Sequence, residues 1–79
     1  MAVRFKLDQQ ADALYVWLSS EPYAFGEDID KERRIDYDAN RRPRGVELLN
    51  VSGGVELDGL PNRDEIGRLL GKLKIRVFA

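Results

Sequence analysis

The feature that most constrains the fold is the run LYVWL at residues 14–18, because it is apolar on both sides of an extended chain. Successive side chains of a β-strand point to opposite faces, so the aliphatic residues of this run share one face, and Tyr15 and Trp17 share the other. A strand that is apolar on both faces is typical of a sheet interior. The run therefore predicts an interior strand and leaves open what covers its aromatic side.

A hairpin and a loop are predicted around this central strand. Residues 3–7 alternate apolar and basic side chains, as a half-buried strand does, and residues 8–12 begin and end with Asp, which favours a turn. Residues 19–31 contain a proline, a glycine and an acidic cluster, and these indicate a loop. The loop carries Tyr23 and Phe25, two rings that can fold over the aromatic side of the central strand.

Residues 33–38 and 44–50 predict a second hairpin, because both runs alternate apolar and polar side chains around a polar turn. Pro43 has no N–H to donate, which favours a sheet edge or a β-bulge close to it. Asn40 is expected to be the left-handed residue of the turn.

The last third of the chain predicts one amphipathic helix. Asn62 can cap its start, and Glu65 can reach back to the cap. Four aliphatic residues then recur at helical spacing and form one apolar stripe: Ile66, Leu69, Leu70 and Leu73. Residues 75–78 alternate and can add a short terminal strand. We therefore predict one α+β domain over residues 1–79, a four-stranded antiparallel meander sheet with this helix packed on one face.

Three motifs resemble those of a known family. They are D-x-x-A-D-A-L-Y-V-x-L at residues 8–18, I-D-Y-D at 35–38 and G-V-E-L-L at 45–49, and they are similar to the small bacterial family called domain of unknown function 2283. The resemblance covers about residues 3–51 and implies no established activity or catalytic residue. Some members lie beside toxin-like genes, which implies a protein partner. Members usually carry Gly after the turn of the second hairpin, where this chain has Arg41.

The composition argues against most enzyme chemistry. The chain has no His and no Cys, so the commonest general base, the commonest metal ligand and the strongest nucleophile are absent. We therefore expect no catalytic residue, no cofactor and no metal. A calcium-loop pattern is matched in part, but Arg41 stands where that loop needs Gly, and we interpret the match as a hairpin turn with solvated carboxylates. The residues concerned are Asp36, Asp38, Asn40 and Glu47.

The hydropathy of the chain predicts a cytoplasmic protein without a membrane partner. Nothing in it resembles a signal peptide, and no run approaches the roughly 20 apolar residues of a membrane helix.

Two binding surfaces are predicted, and the first is aromatic. If the loop does not cover the aromatic side of the central strand, that side is an exposed patch of the kind that marks interfaces. The partner is then a second copy in a homodimer, or a small protein as for an antitoxin. The interface candidates are Tyr15, Trp17, Tyr23 and Phe25.

The second predicted surface is basic. Five arginines lie in or beside the second hairpin and can bind an anion, such as nucleic acid or an acidic protein, because Arg holds phosphate and carboxylate through two hydrogen bonds. The competing interpretation is charge that protects an edge strand from aggregation. A net charge of −1 and the lack of interleaved aromatic residues make nucleic acid the lesser alternative. These arginines are Arg33, Arg34, Arg41, Arg42 and Arg44.

Overall fold

The computed structural model describes residues 4–78 and has the predicted α+β class. Five strands form one antiparallel sheet: β1 (Arg4–Asp8), β2 (Ala13–Trp17), β3 (Phe25–Asp28), β4 (Arg33–Tyr37) and β5 (Pro43–Leu49). They are followed by a 3₁₀ turn (Val51–Gly53), β6 (Val55–Glu56), helix α1 (Arg63–Lys72) and β7 (Val77–Phe78). The terminal strand is confirmed, and it pairs in parallel with β6. Val3, which was assigned to the first strand, lies outside the described residues.

The predicted four-stranded meander is wrong in both the number and the order of the strands. The sheet has five strands in the order β1-β2-β5-β4-β3, so β5 lies between β2 and β4. The additional strand is β3, which lies within the segment assigned to a loop. Its sequence, FGED, has one apolar side chain and therefore shows no alternation. β5 takes the centre because it is the longest strand, with 7 residues, and carries the fully buried Val46 and Leu48.

One face of the sheet carries the core, as predicted. The β2–β5 register sets Leu14 opposite Leu48 and Val16 opposite Val46, and all four side chains are buried. The helix stripe packs on them through Ile66, Leu69 and Leu70, with Leu73 partly buried at the margin. The chain between sheet and helix completes the cluster with Val51, Val55, Leu57 and Leu60. The other sheet face is therefore left without a helix.

Helix α1 begins at the predicted position, but its cap differs from the predicted capping box. Asn62 precedes the helix in a left-handed conformation, with a φ of 51°, and its side chain makes no hydrogen bond to the helix backbone. Its Nδ2 instead donates to Glu65 Oε1 at 2.8 Å. An N-cap normally has an extended backbone, and the left-handed backbone turns the amide toward Glu65 instead.

The second hairpin turns at Arg41, whereas Asn40 was expected to take the left-handed conformation. Arg41 has a φ of 64°. The Asp38 carboxylate explains the difference, because its Oδ1 accepts the N–H of Asn40 at 2.8 Å and the N–H of Arg42 at 3.0 Å. These two bonds hold the residues on either side of Arg41, so the reversal falls on Arg41.

Candidate functional site

The sheet face that α1 leaves uncovered is the candidate site, and we call it the open face. The strand register places alternate residues of all five strands on it. Basic side chains lie on β1 and β4, aromatic side chains lie on β2, and carboxylates lie on β1, β3, β4 and β5. Its main members are Arg4, Lys6, Tyr15, Trp17, Asp28, Arg34, Asp36 and Glu47, with glycines at 26 and 45.

Tyr15 lies flat across the sheet at the centre of the open face. A Cβ atom at Gly45 would collide with its ring, so the glycine provides the space that the ring occupies. The Tyr15 hydroxyl donates to Asp36 Oδ2 at 2.7 Å and accepts from Arg44 Nη1 at 3.1 Å. Burial and the hydrogen bond to Asp36 raise the pKa of Tyr15 to about 12, and Arg44 only partly opposes this. Tyr15 is therefore a neutral hydrogen-bond donor at physiological pH.

Trp17 stands beside Tyr15 and extends the aromatic surface toward β1. The two rings meet edge to face, with centroids 4.8 Å apart and planes at 69°. The Arg4 guanidinium lies 4.5 Å from the centre of the Trp17 ring, a cation–π contact. Both rings are half-buried by these neighbours. Both rings are thus held by neighbouring side chains and remain partly exposed.

Arg34 organises the acidic half of the open face. Its Nη1 lies 3.0 Å from Asp28 Oδ1, and its Nε lies 3.3 Å from Asp36 Oδ1. Its Nη2 donates to the Tyr23 hydroxyl at 3.2 Å. The bonds to Asp28 and Tyr23 raise the pKa of the guanidinium. The guanidinium also lies over Gly26, where a Cβ would collide with it. Arg34 is therefore an internal cross-link of the open face.

The raised pKa of Tyr15 predicts a measurable alkaline titration. We expect one of the three tyrosines to ionise near pH 12 in an absorbance titration, and we expect this step to be missing in Tyr15→Phe. The folded pKa exceeds the unfolded value of about 10. The stabilising contribution of this group is therefore complete below pH 10 and is lost as the pH rises through about 12. A native protein without a step near pH 12, or a Tyr15→Phe protein that keeps that step, would contradict the role assigned to the hydroxyl.

The four interface candidates do not form one patch. Tyr15 and Trp17 lie on the open face, and Tyr23 reaches it from the β2–β3 connection through its bond to Arg34. Phe25 pairs with Tyr37 on the core side of the sheet, and the two rings stack with centroids 5.0 Å apart. Of the two loop rings, Tyr23 therefore lies on the side of the sheet that carries Trp17, and Phe25 does not.

The five arginines are also separated. Arg33 points to the core side, where its Nη1 donates to the carbonyls of Glu56 and Asp58. Arg34 is bound on the open face, and Arg44 lies at the predicted bulge, where the β4–β5 register shifts. Arg44 donates to the carbonyl of Glu21 at 3.0 Å as well as to Tyr15. Arg41 and Arg42, at the hairpin tip, are exposed.

Two carboxylates of the calcium-loop pattern, Asp36 and Asp38, are not solvated as we expected, whereas Glu47 is half-buried on the open face. Asp36 is 9% exposed and Asp38 is 5% exposed, and both accept protein hydrogen bonds. Within residues 4–78, no group of three acidic side chains is placed to hold a metal ion. In the same part of the chain, no helix has the length and apolar character to cross a membrane.

Two contacts of this site were not predicted from the sequence. They are the packing of the Tyr15 ring on Gly45 and the hydrogen bond from the Tyr15 hydroxyl to Asp36. Both had a signal in the sequence. A glycine inside a strand marks a close approach, and a carboxylate in mid-strand needs a buried donor. Neither signal names its partner, because Tyr15 is 21 residues from Asp36 and meets it only across β5.

Comparison with known proteins gives one match. Searches of curated proteins and of solved structures find no match. A family model described as "Protein of unknown function (DUF2283)" matches residues 4–52, which contain all five strands of the antiparallel sheet and the whole open face. Because the match covers more than half of the chain, the protein belongs to the DUF2283 family.

Proposed function

We propose that this protein is a non-enzymatic interaction module and that the open face, centred on Tyr15 and Trp17, is the surface that binds a protein. The observation that supports this most directly is the coverage of the sheet. Helix α1 buries one face, whereas the other presents two aromatic rings beside arginine and carboxylate side chains. Aromatic residues and Arg are enriched at protein interfaces and dominate their binding energy.

The rigidity of the surface supports the same proposal. Tyr15 is held by Gly45 below its ring and by Asp36 and Arg44 at its hydroxyl. Trp17 is held between Tyr15 and Arg4. Side chains that are already fixed lose little conformational entropy on binding. The open face is therefore suited to recognition, and its neutral Tyr15 is unsuited to act as a base or nucleophile.

The form of the partner follows from the chemistry of the face. On β1 it carries two basic side chains and the Asp8 carboxylate, and on β3, β4 and β5 it carries further carboxylates beside Arg34. A protein with charges of both signs fits this arrangement better than a polyanion does. The family resemblance favours an antitoxin-like role in the cytoplasm, opposite a small toxin-related protein.

The geometry gives less support to the alternative, an anion site on the arginine hairpin. Arg33, Arg34 and Arg44 have carbonyl, carboxylate or hydroxyl partners within the chain, and Arg33 lies on the opposite side of the sheet from Arg34. Of the five, Arg41 and Arg42 are exposed, and the other three are half-buried. Salt-dependent retention on heparin, lost on replacing Arg41 and Arg42 by Ala, would favour this alternative.

A photo-cross-linking experiment tests the proposal. Benzoylphenylalanine replaces Glu47 at the centre of the open face, and in a control protein it replaces the exposed Arg68 on α1. We expect protein adducts from position 47 and none from position 68 after irradiation in cells. The mass of the adduct tells a second copy from another protein. No adduct from position 47, or equal adducts from both positions, would contradict the proposal.

A further inference from the structure

Strand β1 forms one edge of the sheet. It pairs with β2 on one side, and no strand within residues 4–78 pairs with its other side. Four of its five residues are exposed, and Phe5, on the core side, keeps 40% of its surface exposed. The free N–H and C=O groups of such an edge can pair with a further strand. An exposed ring on the core side of this edge indicates an apolar neighbour.

The opposite edge, β3, is protected against such pairing. Its four residues include Gly26, which weakens a strand, and Glu27, a charge that points to the core side opposite Ile35. The one large apolar residue, Phe25, is already stacked on Tyr37. The two edges of the sheet therefore differ, and β1 is the one open to a partner.

We propose that β1 pairs with β1 of a second copy of this chain, antiparallel and centred on Lys6. The sequence of the strand, RFKLD, is complementary to itself in this register. Arg4 of each copy lies opposite Asp8 of the other, and Phe5 lies opposite Leu7 of the other. The twofold axis produces each of these pairs twice.

This pairing adds favourable side-chain contacts on both faces of the strand. On the core side, Phe5 of each copy covers Leu7 of the other, which is only partly buried within one chain. On the open face, the Arg4 guanidinium meets the Asp8 carboxylate directly across the strands, a favourable cross-strand pair. Lys6 meets its own copy on the axis and is the one like-charge pair.

The result is a continuous ten-stranded sheet, and the two open faces form one surface on which Tyr15 of each copy, opposite Lys6, lies nearer the axis than Trp17 does. The inference rests on the proposed function, since it names a second copy as a partner, but it uses the strand edge. Each proposal can therefore fail without the other. If edge pairing fails while position 47 cross-links another protein, only this inference is wrong. If edge pairing holds while position 47 yields no adduct, only the role of the open face is wrong.

A cysteine at the axis gives the first test, because the chain contains no Cys of its own. Opposite residues of an antiparallel pair lie within the Cα separation that a disulfide needs. We expect Lys6→Cys to form a disulfide-linked dimer under mild oxidation at least about tenfold faster than the control Arg68→Cys on α1. Equal rates for the two variants would overturn the pairing.

Charge exchange gives the second test, measured by sedimentation equilibrium. We expect Arg4→Asp and Asp8→Arg each to weaken self-association about tenfold, because each variant sets like charges opposite each other twice. A 1:1 mixture of the two variants restores opposite charges at both pairs, so it should form a heterodimer at least as tight as the native dimer. A mixture that associates no better than either variant alone would overturn the inference. Far-ultraviolet circular dichroism and a cooperative urea transition confirm that each variant is folded.

Discussion

Replacing Leu14 by Ala is expected to lower the free energy of unfolding by about 3–5 kcal/mol. Leu14 has no exposed surface and lies between Leu7 on β1 and Leu48 on β5, beneath the helix stripe. The substitution removes buried methyl groups and leaves a cavity that three surrounding elements cannot close. A domain of this length has a total stability of roughly 4–12 kcal/mol, so the variant should be largely unfolded at moderate temperature. Urea unfolding followed by Trp17 fluorescence measures the loss.

Leu49→Ala is the matched control for this experiment. Leu49 ends the same strand that carries Leu48, but it lies on the open face and is 38% exposed. We expect Leu49→Ala to cost less than about 1 kcal/mol, because little buried area is lost. Similar losses for the Leu14 and Leu49 variants would contradict the assignment of the core to the helix side of the sheet.

Replacing Arg33 by Ala is expected to cost about 2–4 kcal/mol, and the reason is polar. The Arg33 side chain is 11% exposed and joins the sheet to the segment around β6. Its Nη1 donates to the carbonyls of Glu56 (3.1 Å) and Asp58, and its Nε donates to Asp30 at 3.0 Å. Alanine leaves both carbonyls without this charged donor. Thermal unfolding should show the loss, and hydrogen exchange should show faster opening of residues 55–58.

Arg42→Ala is the control for charge, because Arg42 is exposed at the tip of the same hairpin. We expect it to change stability by less than about 0.5 kcal/mol. Arg33→Lys should fall between the two variants, since an ammonium group cannot reproduce the guanidinium fork. An Arg33→Ala protein as stable as Arg42→Ala would show that the β6 segment is held by apolar contacts alone.

The parts of the fold that the sequence predicted correctly are those with local periodicity. The unbroken apolar run at residues 14–18 identified an interior strand with two apolar faces, and the spacing of Ile66, Leu69 and Leu70 identified the buried side of α1. Both patterns are repeated over several residues, so one neighbour cannot override them.

The parts that could not be predicted depend on residues far apart in the chain. The position of β5 is decided by competition among strands for the buried centre of the sheet. Residues 25–28 form the strand β3 because they pair with the free edge of β4. The left-handed residue of the second hairpin is decided by the Asp38 carboxylate. Asn40 has the better intrinsic preference for that conformation, but the two hydrogen bonds of Asp38 assign it to Arg41.

In the candidate site, too, the features set by local spacing could be predicted and those set by distant residues could not. Tyr15 and Trp17 could be placed on one face from their spacing alone. The separation of Arg33 from Arg34 follows from strand alternation, but the partners of Arg33 lie 23 and 25 residues away. The ring of Tyr15 covers Gly45, 30 positions further along the chain, and no local pattern joins the two.

The central position of β5 also determines when the protein can fold during synthesis. Strands β1 and β2 are synthesised before β5 and α1. The side chains of Leu14 and Val16 therefore stay uncovered until β5 and α1 have been synthesised. The hairpin therefore remains without its sheet partner until β5 has left the ribosome. A nascent chain stopped before Ile66 will expose these aliphatic side chains, and it will be a substrate for chaperones or will aggregate.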